Sequence, residues 1–438
     1  MKPAIEDDYL TQVQALVDEI AHATDDSSSI MGDVSQYFIN AARRAKQQLE
    51  LKVKIAELQD TTSLAEFQQQ ELDGLIAQLD ELQGQADKGR QQRLQRIRKV
   101  CQTLNDLCEG KNKQQSQHKT AKFLASLWLL SEQHEGHQQN YHQRLKIPYK
   151  MALTLRLVDE VIEHQLLRVP NWLTFSDPEI RFHGTEAERQ KWFALVAIPA
   201  LTSALFQDAG LFHPLAIKLL RGNDKSKDPF RVLDNEERTS LLKMNYRFSI
   251  DYVTSGLGVD YGTAYATPET QVLAHATLLE LVKDAYKPAT GIGELLKIPQ
   301  IYASVVFSTK QDFQRSEVPK GCMLIDQLAK KGVVSEHLAQ AFNRIVGAFP
   351  QGYGLFTADA KNLVFGLYPT QMHEPTVIPL LSIEDTLLEQ EPRTLTMQQN
   401  YYFTSTREAE GHNEQSKQDR IWDASRDLAS WSTRWEKL

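Results

Sequence analysis

Cysteine is scarce in this chain of 438 residues: Cys101, Cys108 and Cys322 are the three present, and no two form a CxxC pair. That excludes a disulfide framework and a zinc ribbon. Long apolar runs are missing as well. The longest candidate, around Phe123 to Leu130, falls far short of the roughly 18–20 residues a membrane-spanning helix needs. The opening MKPAIEDDYL lacks the basic-then-apolar order of a signal peptide, so a cytoplasmic protein is expected. Nor is there a P-loop, a GxSxG elbow or a dinucleotide fingerprint after a strand; TGIGELLK has too few glycines. Positive charge is not in excess. Lys and Arg number 49 against 57 Asp and Glu, a net charge of −8, which argues against nonspecific nucleic-acid binding. What remains, 41% apolar and 8% aromatic residues, excludes a wholly disordered chain and leaves room for about two or three domains.

Residues 1–115 read as a long-helix or coiled-coil region. Proline occurs there only at Pro3, and Gln, Glu, Lys and Ala dominate, all favourable helix residues. Apolar residues recur at three- and four-residue steps: Leu51, Ile55 and Leu58, then Leu72, Leu75 or Ile76, Leu79 and Leu82, then Leu94, Ile97, Val100 or Cys101, Leu104 and Leu107 or Cys108. This is the narrow stripe of a helix seam. Breaks are expected at Asp60 to Ser63, where Ser63 and Glu66 suit a capping box, and at Gly84 to Gly89. The basic run Lys88, Arg90, Arg93, Arg96, Arg98 and Lys99 has no interleaved aromatics for base stacking, so a solvated helix face is expected.

Residues 116–144 form a helical connector carrying His118, His134, His137 and His142. HEGH is not HExxH, and no second ligand pair stands near it, so no metal is expected. From 145 to 380 the chain is globular and mainly helical, with MALTLRLVDEVIEHQLL and KWFALVAIPALTSALF as amphipathic segments. Pro170, Pro178, Pro214 and Pro229 mark turns. Alternation around Gly352 to Leu367 predicts a small β-hairpin. Residues 381–438 are a polar tail ending in an amphipathic helix, with Leu428, Trp431 and Trp435 on one face and Trp422 upstream. Such tryptophans need burial somewhere: either in a protein partner or on the chain's own core.

Five pieces of the globular region occur in a familiar order. ALFQDAGLFHP (Ala204 to Pro214) resembles the xxHDxGKxxIP motif of HD-superfamily phosphohydrolases. RVLDNEERTSLLKMNYRFSIDYV is similar to the helix that follows it in the HD-GYP branch, and LLELVKDAYKP (Leu278 to Pro288) lies where HHExxDGxGYP would lie. IPQIYASVVFS (Ile298 to Ser308) resembles the later metal-binding helix, and GAFPQGYGL (Gly347 to Leu355) the closing G-x-Y-P-x-G segment. The resemblance covers about residues 145–380. It implies an all-α domain with a small C-terminal hairpin, and an ancestral reaction of metal-dependent cyclic di-GMP hydrolysis.

The residues that would carry that reaction are changed. By the resemblance, the HD histidine is Gln207, its aspartate is kept as Asp208, and the phosphate-contacting lysine is Leu211. The next histidine is Asn245. The HHE triplet reads Leu278, Leu279 and Glu280, the late aspartate is Ser304, and only Pro288 survives of the GYP triplet. Amide oxygens are weak neutral ligands and leucine supplies none, so no catalytic residue and no metal or other cofactor is expected. Leu211, Leu278 and Leu279 are expected to fill the former cavity. The expectation is therefore a pseudoenzyme that acts as a signalling adaptor, through protein partners or self-association by the N-terminal helices and the Trp422–Leu428–Trp431–Trp435 face. Two alternatives stand beside it. One is a phosphodiesterase with a rearranged site of Asp208, His213, His275 and Glu280; the other is an effector that binds cyclic di-GMP without cleaving it. Cys322 is expected to be a core residue.

Overall fold

The computed structural model describes residues 9–22, 28–60, 65–131, 138–403 and 420–438. His134, His137 and Ser63 lie outside the described residues. The chain is mainly α-helical with one small antiparallel sheet. The helices run α1 (Tyr9–Ile20), α2 (Ile30–Gln59), α3 (Glu66–Cys108), α4 (Lys113–Ser131) and α5 (Gln138–Glu163). Then come α6 (Pro178–Phe182), α7 (Glu186–Trp192), α8 (Ile198–Phe206), α9 (Pro214–Arg221) and α10 (Asn235–Asp251). The remainder are α11 (Pro268–Tyr286), α12 (Glu294–Val306), α13 (Gly321–Lys330), α14 (Glu336–Val346) and α15 (Leu428–Lys437). Among the described residues no helix is long and apolar enough to cross a membrane.

Two compact units divide the chain, and neither is continuous. The larger comprises Met1–Ala23, Val100–Gln207 and Thr263–Leu438; the smaller comprises Thr24–Lys99 and Asp208–Gly262. The boundaries read from the sequence cut differently. The border at 144/145 falls inside α5, which continues past Pro148. One internal proline removes one backbone hydrogen bond, and packing on several sides of α5 compensates. That helix is buried all round from Pro148 to Val158, so it is a central core helix rather than an amphipathic one. It packs against α4, α8, α12 and α14.

In the smaller unit, α2 and α3 are antiparallel: Arg96 pairs with Asp33 at 2.8 Å, and the Arg93 guanidinium lies 5.3 Å from the Tyr37 ring centre. Val34, Tyr37, Ile55 and Leu72 are buried along their seam. The break expected at Gly84 to Gly89 does not occur, since α3 runs unbroken through both glycines. A helical glycine costs only about 1 kcal/mol relative to alanine, and the flanking Gln, Asp, Lys and Leu residues outweigh it. The basic run is not a purely solvated face either. Arg93 donates to the Gly256 carbonyl at 2.8 Å, Arg96 holds Asp33, and Arg98 holds Asp260 at 2.8 Å. These guanidiniums fasten α3 to α2 and to the segment that follows α10.

The expected hairpin is present as β1 (Gly354–Phe356) and β2 (Ala360–Val364), but it belongs to a larger sheet. With β3 (Thr376–Ser382), β4 (Arg393–Thr394) and β5 (Ile421–Trp422) the strand order is β4-β3-β2-β1-β5. The region read as a separate polar tail therefore supplies both edge strands. Gly354 is required where β1 meets β5, because a Cβ there would lie 2.0 Å from the Trp422 carbonyl oxygen. Pro170, Pro178 and Pro214 each open a helical turn, where the missing N–H is not needed.

The C-terminal helix α15 packs on this sheet. Trp431 and Trp435 are fully buried with Trp422, Leu10, Leu129, Leu363, Phe365, Ile378 and Leu380, and Leu428 packs against them. The Trp431 indole donates to the Ala424 carbonyl at 3.1 Å and the Trp422 indole to Asp427 at 2.7 Å. Of the two destinations for these tryptophans, the structure places them on the chain's own core, and they offer no exposed docking face. Two-residue strands carry too little period-two pattern to be read from sequence, which is why the tail looked detached.

Candidate functional site

The positions that the resemblance marks as a former metal site fall in both units. In the smaller unit Asp208 precedes the helical turn Ala209–Phe212, and the Asn245 amide of α10 donates to its carboxylate at 3.0 Å. Ser249 donates to the Asn245 side-chain oxygen at 3.2 Å and accepts the Gly210 N–H at 2.8 Å. The turn and α10 touch here: a Cβ on Gly210 would sit 2.3 Å from the Asn245 carbonyl oxygen. Leu211 is half-buried. The Asp208 carboxylate and the Asn245 amide thus engage each other.

In the larger unit, Gln207 ends α8 with a buried side chain, and its carbonyl accepts the Tyr286 hydroxyl at 2.6 Å. Leu278 is buried on α11 beneath α8, where its carbonyl accepts Ser203 at 3.3 Å; Leu279 is half-buried. Leu278 therefore lies in the core of its unit, whereas Leu279 and Leu211 are only partly buried. Glu280 and Ser304 are exposed. Thr290 donates to Glu280 at 3.1 Å, and Ser304 donates back to the Gln300 carbonyl at 2.8 Å. By residue type, the set that the resemblance assembles does not fit a two-metal centre: it holds no imidazole, and of its two carboxylates Glu280 is exposed.

The histidines proposed as replacement ligands have other work. His213 caps α9, its Nδ1 accepting the Leu215 N–H at 3.1 Å, and its ring stacks on Phe248 at 3.4 Å. Burial holds its pKa below the usual histidine range, with Arg247 adding to that and Asp251 opposing. His275 is half-buried, and burial lowers its pKa too. Of the connector histidines, His118 contacts the Leu438 main-chain oxygen at 2.8 Å. His142 is buried, its Nδ1 hydrogen-bonded to the Ser308 carbonyl at 2.7 Å between Phe307 and Phe313.

Burial pushes the His142 pKa down to about 4, against the opposing pull of the Ser308 carbonyl. A histidine depressed in the fold binds fewer protons folded than unfolded, so its stabilisation is full above about pH 6.5 and declines as pH falls. Between about pH 7 and about pH 4.5 this one group should cost the larger unit about 2–3 kcal/mol. Urea unfolding of His142→Gln beside the parent chain checks this: the gap in stability should shrink on acidification. A gap that is constant with pH would rule out the buried neutral ring.

The most developed polar cluster was not legible in sequence. Arg156 on α5 is 1% exposed and meets Glu109 at 3.1 Å and Asp159 at 3.2 Å. Arg181 grips Glu109 through Nε and Nη2, each at 2.6 Å, bonds Asp159 as well, and lies 4.0 Å over the Trp192 ring. Burial alone would raise the Glu109 pKa, but the Arg181 and Arg156 guanidiniums hold it below the usual carboxylate range. The cavity beside them is about 30 Å³, room for about one or two waters rather than a substrate.

Alongside, Glu160, Glu163 and His164 form the one group among the described residues with ligand atoms mutually within 4.8 Å. Lys113 pairs with both carboxylates, 2.6 Å from Glu163 and 3.8 Å from Glu160. The cluster therefore reads as an electrostatic clamp joining α5 and α6 to Glu109, the residue that follows α3. Asp284 has a similar structural role, accepting the Ala289, Thr290 and Gly293 N–H groups at 2.6–2.8 Å. Cys322 is buried with its thiol donating to the Gly347 carbonyl at 2.6 Å, and burial raises its pKa. No family model, no curated protein and no solved structure matches the chain.

Proposed function

We propose that this chain is a catalytically silent relative of the HD-GYP phosphohydrolases that works in the cytoplasm as a signalling adaptor or scaffold, through contacts with proteins. One observation carries the reading. Where the family needs imidazoles, the chain has Gln207, Asn245, Leu278 and Leu279, and the retained Asp208 is hydrogen-bonded by Asn245 at 3.0 Å. Neutral amides bind iron and manganese weakly, so nothing here would polarise a phosphodiester or lower the pKa of a water. Buried Leu278 supports a converted core, because an emptied site would carry a cavity cost of a few kcal/mol.

The rearranged-enzyme alternative gains nothing from the geometry. His213 spends Nδ1 on a backbone N–H and its ring face on Phe248, while Glu280 is exposed and bonded to Thr290. A cyclic di-GMP effector is disfavoured because Leu211 replaces the phosphate lysine and the GYP loop keeps only Pro288.

The purified chain, incubated with excess manganese or anaerobic ferrous iron, should release no linear dinucleotide or GMP from cyclic di-GMP. Metal-dependent turnover abolished by Asp208→Ala would overturn the reading.

A further inference from the structure

We propose that the chain forms a twofold homodimer through the outer face of α2, with the two α2 helices antiparallel. The helix carries two heptad stripes. The inner stripe faces α3. The outer one is Ile39, Ala42, Lys46, Leu49, Val53 and Ala56, spaced 3, 4, 3, 4, 3, as in a coiled-coil seam. Among the described residues nothing covers it: Ile39 is 51%, Leu49 63% and Val53 48% exposed, and both alanines are exposed. Five apolar positions out of six on a solvent-facing helix form a patch that water disfavours.

Charge selects the occupant and its direction. About a twofold axis between positions 46 and 49, Ile39 meets Ala56 of the second copy, Ala42 meets Val53, and Lys46 meets Leu49. In that register Arg43 comes against Glu50 of the second copy, and symmetry repeats the pair. Lys46, which bridges Glu50 of its own helix at 3.8 Å, can lay its methylenes over Leu49 with its ammonium near the rim. The parallel arrangement would gain Lys52–Glu57 pairs but set Lys46 against Lys46 in the seam, a like-charge contact that opposes association. A stripe that complements itself under a twofold axis fits a second copy of this chain rather than an unrelated partner.

This deepens the scaffold reading and rests on it only in that a silent chain acts through its surfaces. Sedimentation equilibrium of the full chain should give twice 49.9 kDa, dissociating on dilution. Leu49→Glu with Val53→Glu should weaken the dimer by roughly 100-fold or more, with far-UV circular dichroism unchanged. Arg43→Glu and Glu50→Arg should each weaken it by roughly fivefold, and the two together should restore it.

A parent chain monomeric at roughly 100 μM, or a Leu49→Glu, Val53→Glu chain that stays dimeric, would overturn the proposal. A double charge reversal that fails to restore would overturn the antiparallel register. A monomer would leave the silent site untouched, whereas turnover of cyclic di-GMP would leave the dimer standing, so the two failures are distinguishable.

Discussion

Trp431→Ala should destabilise the larger unit by about 3–5 kcal/mol, the range for emptying a fully buried aromatic site. Trp431 is 0% exposed, sits 5.8 Å from the Trp435 ring and loses an indole hydrogen bond on truncation. The void would open at the centre of the cluster where α15 meets β2 and β3, elements too constrained by sheet pairing to collapse into it. Against a typical total of about 5–15 kcal/mol this is a large fraction, and expression at 37 °C should suffer. Tryptophan fluorescence during urea unfolding reads the larger unit alone, because all six tryptophans lie in it. A Trp431→Ala chain that unfolds at the parent's urea midpoint would return the tail to the role of a detachable docking segment.

The second large effect is expected at Arg156. Replacing it by methionine keeps most of the volume but leaves Glu109 and Asp159 with Arg181 as their one remaining guanidinium. Breaking a buried pair from one side costs about 3–5 kcal/mol, because an uncompensated charge stays behind. Arg156→Met with Glu109→Gln should cost less than the sum of the two single changes, by at least about 1 kcal/mol. Strict additivity would show that the two side chains do not interact. Because Glu109 is held below its ordinary pKa, its contribution is present above about pH 4.5 and is lost as pH falls.

How much of this was readable depended on whether the signal was local. Helix content, the α2 and α3 stripes, and the hairpin at 352–367 all show within a few residues, and the structure has each of them. Gly84 and Gly89 misled because a glycine lowers helix propensity without forbidding the helix. The two-residue strands at 393–394 and 421–422 were invisible for another reason: their pairing comes from β3 and β1, far along the chain. The clamp is the extreme case. Arg156 and Arg181 lie 47 and 72 positions from Glu109, and no short motif announces a contact that only the fold creates. Asp284 offered one missed cue, an acid shortly before a glycine-containing turn. At the positions that the resemblance assigns to metal ligands, residue types alone indicated side chains that bind metals weakly or not at all. That Asp208 is held by Asn245, and that Glu280 faces water, required coordinates.

The most direct test of the central claim is the metal content of the chain purified after growth with added iron and manganese and anaerobic reconstitution. Well under one equivalent per chain of either metal should remain after desalting, and Asp208→Ala should not change the value. Two equivalents of iron or manganese per chain, lost on Asp208→Ala, would mean that a working centre is built from these residues after all, and the silent-scaffold account would be contradicted.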